Sequence, residues 1–179
     1  ATGAKPITPE FLKNQGNVIW DYKSAMIPDI LPKKLGIIGS GAIGIEFASF
    51  YNDLGVKVDV FEMRERICPN EDKDVSNLLE KILSQKGISF YRNSEVTKFN
   101  NSKGMELLVK VKLKETSFSY DRILLAVGVE GNTKDIGIEN TKVKIRNNQI
   151  VTHEFGITDE PNIFAIGDVA GLPWLAHKA

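Results

Sequence analysis

Leu35-Gly36-Ile37-Ile38-Gly39-Ser40-Gly41-Ala42-Ile43-Gly44 is a short apolar strand running into a Gly-x-Gly-x-x-Gly turn. From Ala42 to Leu54 apolar residues recur at helical spacing, and Gly55 stands where a C-cap glycine belongs. Val56 to Phe61 reads as a second strand. Residues 72–86 place Val75, Leu78, Leu79, Ile82 and Leu83 on one face of a second helix, which Gly87 stops, and Ile88 to Tyr91 is a third strand. Strand, helix, strand, helix, strand in this order builds a parallel sheet through right-handed crossovers. In that setting Gly39 permits the tight turn, Gly41 lets backbone N–H groups approach a pyrophosphate, and Gly44 lets helix and strand pack closely, with the helix N-terminus facing the anion. A plain glycine-rich turn is the alternative; a strand before it and a helix after it favour a dinucleotide site.

Glu62 follows the second strand, eighteen residues after Gly44, near the ~20 expected for the acid that binds an adenosine ribose. A 2'-phosphate there meets like charge, so Glu62 argues for NAD over NADP. Arg64 and Arg66 stand close by and argue the other way, unless they simply line a solvated loop.

Beyond residue 94 the pattern changes. Glu95 to Phe99, Met105 to Leu113 and Thr116 to Tyr120 alternate like antiparallel strands, with residues 100–104 as the first hairpin turn. Ile123 to Val127 is apolar throughout, as a strand buried on both faces would be. The expected fold is therefore α/β: a Rossmann-like parallel sheet with helices, in which a three-stranded antiparallel β-meander replaces one crossover helix. Residues 1–33, with Pro6, Pro9, Pro28 and Pro32 around Val18-Ile19-Trp20, read as a connector holding one small strand and a helical turn.

Composition excludes several functions. The 179 residues are 42% hydrophobic, and 23 Lys and Arg balance 23 Asp and Glu, so no overall field gathers nucleic acid or anionic lipid. No apolar run approaches the ~20 residues that span a membrane. Cys68 is the single cysteine and has no metal-ligand spacing with His153 or His177; it reads as a small apolar filler. His153 takes no role. Neither end resembles a natural terminus or a targeting segment, and the expectation is a soluble chain cut from something longer.

Two further stretches decide the family. Thr158-Asp159-Glu160-Pro161-Asn162-Ile163-Phe164-Ala165-Ile166-Gly167-Asp168 is a strand ending in Gly-Asp, and the chain begins Ala1-Thr2-Gly3. Both resemble the FAD-dependent pyridine-nucleotide disulfide oxidoreductases, in which an Ala-Thr-Gly strand end closes the first part of the FAD domain, an NAD domain follows, and Ala-x-Gly-Asp returns to the flavin. Within that family the chain is most similar to the dihydrolipoamide dehydrogenases, through residues 39–50, Val60-Phe61-Glu62, Ala126-Val127-Gly128, residues 165–170 and Leu175-Ala176-His177-Lys178-Ala179. One departure is Val129-Glu130-Gly131-Asn132, where the family often has Arg and then Pro-Asn after Ala-Val-Gly.

The resemblance implies a division into 1–33 (connector and end of a first FAD segment), 34–152 (NAD-binding domain) and 153–179 (start of the returning FAD segment). It implies NAD on Gly39, Gly41, Ala42, Ile43, Gly44, Glu62 and Gly128. FAD in the longer protein would meet Asp168, Leu175, Ala176 and His177, and Glu46 would support a flavin-side lysine absent from this chain. Ile43 as plain core, Glu46 as a helix-start acid and Gly128 as a turn glycine stand as alternatives. The implied reaction oxidises dihydrolipoamide with NAD through FAD and a redox disulfide outside this chain, so no catalytic residue is expected here and the chain alone is expected to be inactive. The implied partners are NAD(H), a second copy in a homodimer and 2-oxoacid dehydrogenase complexes, in bacterial cytoplasm or the mitochondrial matrix. An NADP-dependent disulfide reductase or transhydrogenase of the same family, or an NAD-binding sensor, would share most of these motifs. Leu172, Trp174 and Leu175 are expected to lie exposed or to borrow a neighbour's surface.

Overall fold

The computed structural model describes residues 1–13, 15–101, 105–111 and 114–174. In chain order the strands and α-helices are β1 (Ala4–Pro6), β2 (Ile19–Trp20), α1 (Tyr22–Met26), β3 (Lys34–Ile38), α2 (Ala42–Asp53), β4 (Lys57–Phe61), α3 (Lys73–Gln85), β5 (Ser89–Tyr91), β6 (Ser94–Asn100), β7 (Glu106–Val111), β8 (Lys114–Ser119), β9 (Arg122–Leu125), β10 (Val129–Gly131), β11 (Ile145–Arg146) and β12 (Gln149–Ile150). They fall into two compact units: Thr8–Gly128, and Ala1–Ile7 together with the described residues from Val129 onward. Of the turn expected at residues 100–104, Asn100 ends β6 and residues 102–104 lie outside the described residues.

In the larger unit, five parallel strands stand in the order β2-β9-β3-β4-β5. The chain steps outward from β3 through α2 to β4 and through α3 to β5. It then runs through the antiparallel meander β6-β7-β8 and re-enters the sheet as β9 on the other side of β3. The α/β fold with its meander is thus the one the sequence pattern describes. Because side chains alternate across a strand, each central strand feeds two cores. Leu35, Ile37, Val58, Val60 and Leu124 join Ala48, Tyr51 and Ile67 in one cluster. Phe61 and Ile123 join Leu107, Val109 and Tyr120 of the meander side in the other.

One difference from the sequence pattern is informative. In α3, Asp72 caps the start through a hydrogen bond to the Asp74 amide, but the buried line is Ser76, Leu79 and Leu83. Val75, Leu78 and Ile82, expected on the covered face, are 45% to 58% exposed. On the inward line the Ser76 hydroxyl donates to the Cys68 carbonyl at 3.2 Å. The small strand and the helical turn expected within residues 1–33 are both present. Ile19 and Trp20 pair in parallel with Ile123 and Leu124, and α1 begins with a capping box between Asp21 and Ser24.

In the smaller unit, β1 pairs antiparallel with β10, matching Ala4 to Gly131. The Thr2 hydroxyl donates to the Asn132 carbonyl at 2.8 Å, and the Asn132 amide returns a bond to the Thr2 carbonyl at 2.9 Å. Ile150, Ala165 and Val169 form its core, with Ile138, Val143 and Ala170 against them. Leu172 and Trp174 are exposed, at 63% and 38%; Leu175 lies outside the described residues. The compact units therefore divide at residues 7/8 and 128/129, a partition by packing that differs from the expected partition by cofactor at 33/34 and 152/153.

One polar group is sealed into the sheet. The Asp59 carboxylate on β4 is buried, accepts a hydrogen bond from the Tyr120 hydroxyl at 2.9 Å and faces the Lys34 ammonium at 3.5 Å. Room for the Tyr120 ring comes from Gly36 on the neighbouring strand, where a Cβ would stand 2.9 Å from it. Burial first, and then the Asp59 charge, push the Tyr120 phenol far above its ordinary range. Tyr120→Phe leaves a buried carboxylate short of one donor and should lower unfolding free energy in urea by about 1–3 kcal/mol. A phenol whose folded pKa exceeds its unfolded value near ~10 holds its proton more tightly when folded, so its contribution is complete below that pH and falls as pH rises past it. The alkaline loss of stability should therefore be smaller in Tyr120→Phe than in the wild type, measured by urea titration from pH 8 to 11.

Candidate dinucleotide-binding site

β3 and β9 lie side by side, with Ile38 opposite Leu125, and their neighbours lead away in opposite directions. In an open parallel sheet the crevice beyond the carboxyl ends of two such strands is where ligands are held. The Gly39–Gly44 turn follows β3, and Gly128, with φ 117°, follows β9.

The turn is closed by contacts that leave no room for side chains. Gly39 has φ 101°, its N–H donates to the Phe61 carbonyl at 2.9 Å, and a Cβ on it would stand 2.3 Å from the Ala126 carbonyl oxygen. A Cβ on Gly44 would stand 2.1 Å from the Gly39 carbonyl oxygen. Gly41 differs: its Cβ would meet nothing within 4 Å among the described residues. It is also the N-cap of α2, where no side chain caps the helix and no acid stands in the first turn. The amides at the start of this twelve-residue helix, at Ala42, Ile43 and Gly44, together with its positive dipole end, are offered to that open side. Packing accounts for the first and third glycines and leaves the second as an approach for an anion of pyrophosphate kind.

Glu62 stands one residue past β4, with its carboxylate tied back to the same turn. Oε2 accepts the Ser40 N–H at 3.1 Å and the Ser40 hydroxyl at 2.6 Å, and Oε1 accepts the Arg64 N–H at 2.8 Å. The loop after Glu62 is anchored there as well, since the Cys68 N–H donates to the Ser40 carbonyl at 2.9 Å. Within that loop the Arg66 guanidinium donates to the Pro69 carbonyl at 3.1 Å, while Arg64 is exposed. Of the two arginines that argue for NADP, one is engaged in closing its own loop. Cys68 packs in the core, and burial, with the charges of Glu71 and Glu62, pushes its thiol up.

The structure brings Gly39, Gly41, Ala42, Ile43, Gly44 and Glu62 to one turn. Glu46 is exposed one turn further along α2. Asp168 belongs to the smaller unit, half-buried in the 3-10 turn Gly167–Ala170. Leu175, Ala176 and His177 lie outside the described residues. His153 is exposed and pairs through Nε2 with Asp159 Oδ1 at 2.7 Å. Ser40 was not singled out by the sequence pattern; the signal was a hydroxyl at the first variable position of the glycine turn. Among the described residues no group of His, Cys, Asp and Glu is placed to hold a metal, and no helix is long and apolar enough to cross a membrane.

The whole chain, residues 1–179, matches the family model for pyridine nucleotide-disulphide oxidoreductases. It is 42% identical over 182 residues to a dihydrolipoyl dehydrogenase of Rhizobium etli and 36% identical over 182 residues to one of Bacillus subtilis, in each case across 100% of this chain and 38% of the relative. Among solved structures it is similar to LpdA from Mycobacterium tuberculosis, with a TM-score of 0.89 at 27% identity over 99% of this chain and 39% of the other. The flavoprotein disulfide reductase RclA from Escherichia coli gives a TM-score of 0.86 at 27% identity, over 99% and 40%. The chain thus spans about two fifths of the length of these relatives.

The division of labour among the three glycines is testable without any ligand. Gly44→Ala should lose about 1–3 kcal/mol of stability through overpacking, whereas Gly41→Ala should lose no more than about 1 kcal/mol as a poorer N-cap. Chemical denaturation of the two variants decides it, and equal losses would contradict the assignment.

Proposed function

Because the chain belongs to the pyridine nucleotide-disulphide oxidoreductase family, we propose that it is the NAD-binding part of a dihydrolipoamide dehydrogenase. The observation that carries this is the Glu62 carboxylate, hydrogen-bonded to the glycine turn beside the uncapped start of α2. An acid so placed accepts hydrogen bonds from an adenosine ribose and repels a 2'-phosphate. Against it stand Arg64, which is exposed, and Arg66, of whose five donors one is given to the Pro69 carbonyl. In this reading Gly39, Gly41, Ala42, Ile43 and Gly44 receive the pyrophosphate, and Gly128 lies beside the nicotinamide.

The proposed partition by cofactor is a connector and first FAD segment in 1–33, the NAD-binding domain in 34–152, and the returning FAD segment in 153–179. Asp168, Leu175, Ala176 and His177 belong to the FAD side of the longer protein, and Glu46 supports a lysine supplied there. Overall, the two thiols of dihydrolipoamide close to a disulfide, two electrons and one proton convert NAD+ to NADH, and one proton is released. FAD, when bound, supplies the relay between dithiol and nicotinamide. Cys68 is the only cysteine, so the redox pair must lie outside this chain. The names of the relatives support lipoamide as the substrate. By the same reading the longer protein is a homodimer serving 2-oxoacid dehydrogenase complexes, in bacterial cytoplasm or, in a eukaryote, the mitochondrial matrix.

Thermal unfolding of the chain with rising NADH and, separately, NADPH tests the proposal. NADH at 100 times its dissociation constant should add about 2.7 kcal/mol, with a smaller shift for NADPH at the same concentration. A larger shift with NADPH would overturn the choice of nucleotide, and absence of both shifts would overturn the site. The 179-residue chain should show no steady-state oxidation of dihydrolipoamide; a clear rate would contradict the placing of the redox pair outside it.

A further inference from the structure

Ser40 is fully buried at the first variable position of the glycine turn, and all three of its polar groups are used. Its N–H and hydroxyl both go to Glu62 Oε2, at 3.1 Å and 2.6 Å, and its carbonyl accepts the Cys68 N–H at 2.9 Å. With the Arg64 N–H on Oε1 at 2.8 Å, the carboxylate holds three donors. A carboxylate offers about four lone-pair sites, so the acceptor left open is on Oε1.

We propose that Ser40 is a positioning residue for nucleotide choice: its buried hydroxyl holds Glu62 Oε2 against the glycine turn and leaves Oε1 as the fixed acceptor for a ribose hydroxyl. This rests on the dinucleotide reading above and goes beyond it by assigning the discrimination to a pair of residues. Glutamate is a long side chain whose freedom must be lost when it grips a ligand. Here that freedom is already lost in the free protein, because Ser40 holds one carboxylate oxygen and the Arg64 amide the other. The same hold keeps the Glu62 charge fixed where a 2'-phosphate would meet it. Serine suits the position because it is small enough to be buried beneath the turn and carries a hydroxyl that reaches the carboxylate.

The test is a thermodynamic cycle on the 179-residue chain, read as dissociation constants for NADH and NADPH by calorimetry. Ser40→Ala should weaken NADH about three- to tenfold, the factor carried by one net hydrogen bond or one newly immobilised side chain. NADPH should be unchanged or tighter, so the ratio of the two narrows. In a Glu62→Ala background the further change Ser40→Ala should alter either constant less than twofold, because no carboxylate remains to be held. Loss of NADH affinity of the same size in both backgrounds would show that Ser40 acts through the shape of the turn and would overturn the proposal. So would an unchanged or tighter NADH constant in the single variant, since the hydroxyl would then be idle or competing with the ribose. Should Ser40→Ala unfold, Ser40→Cys fills the space with a weak donor and is read in the same way. If the wild-type chain binds neither nucleotide, the dinucleotide reading itself falls and this proposal with it.

Discussion

Between the Gly39 turn and the Ala126 carbonyl there is no space for even a methyl group. That contact draws the loop after β3 against the loop after β9, and the next one, Gly44 over the Gly39 carbonyl, brings α2 down onto the turn. Helix direction, the exposure of its first amides and the seating of Glu62 follow from this closeness. A side chain at either position would lift the helix start away from the sheet and with it the donors that face an anion. The strands on either side tolerate exchange of one aliphatic residue for another far better than the turn tolerates any addition.

Much of the larger unit is legible in the sequence because its signals are local. Strand β3, the glycine turn and α2 are written in consecutive residues, and glycines mark the ends of both crossover helices. Ile123-Leu124-Leu125 is apolar without alternation because the strand is covered on both faces. The family resemblance rests on these local blocks too, which is why it spans the chain. What resists reading depends on distant partners. Periodicity puts Val75, Leu78 and Ile82 on one face with Leu79 and Leu83, of which the fold turns only Leu79 and Leu83 inward, beside a Ser76 bonded to Cys68.

The same distinction runs through the site. Glycine spacing and an acid at the end of the second strand locate it, but they do not show that acid bonded to Ser40, because the two stand apart in sequence and meet only when β3 and β4 pair. The Arg66 bond to Pro69 is equally hidden: in the sequence Arg64 and Arg66 look equivalent, while in the fold one closes a loop and the other is exposed. The smaller unit offered few periodic cues, since its strands are two or three residues long and its order comes from pairs such as Thr2 with Asn132.

The Asp121 carboxylate accepts the Lys34 amide at the foot of β3, across 87 residues of chain. β3 therefore waits for a neighbour made only after both crossovers and the whole meander. Closing so long a loop costs entropy before its contacts return anything, and topologies of this kind fold slowly. During synthesis the glycine turn emerges early, but the Ala126 carbonyl that completes it emerges late. The nascent chain thus passes through a period in which β3 lacks its β9 neighbour, and the turn has no Ala126 carbonyl to close against.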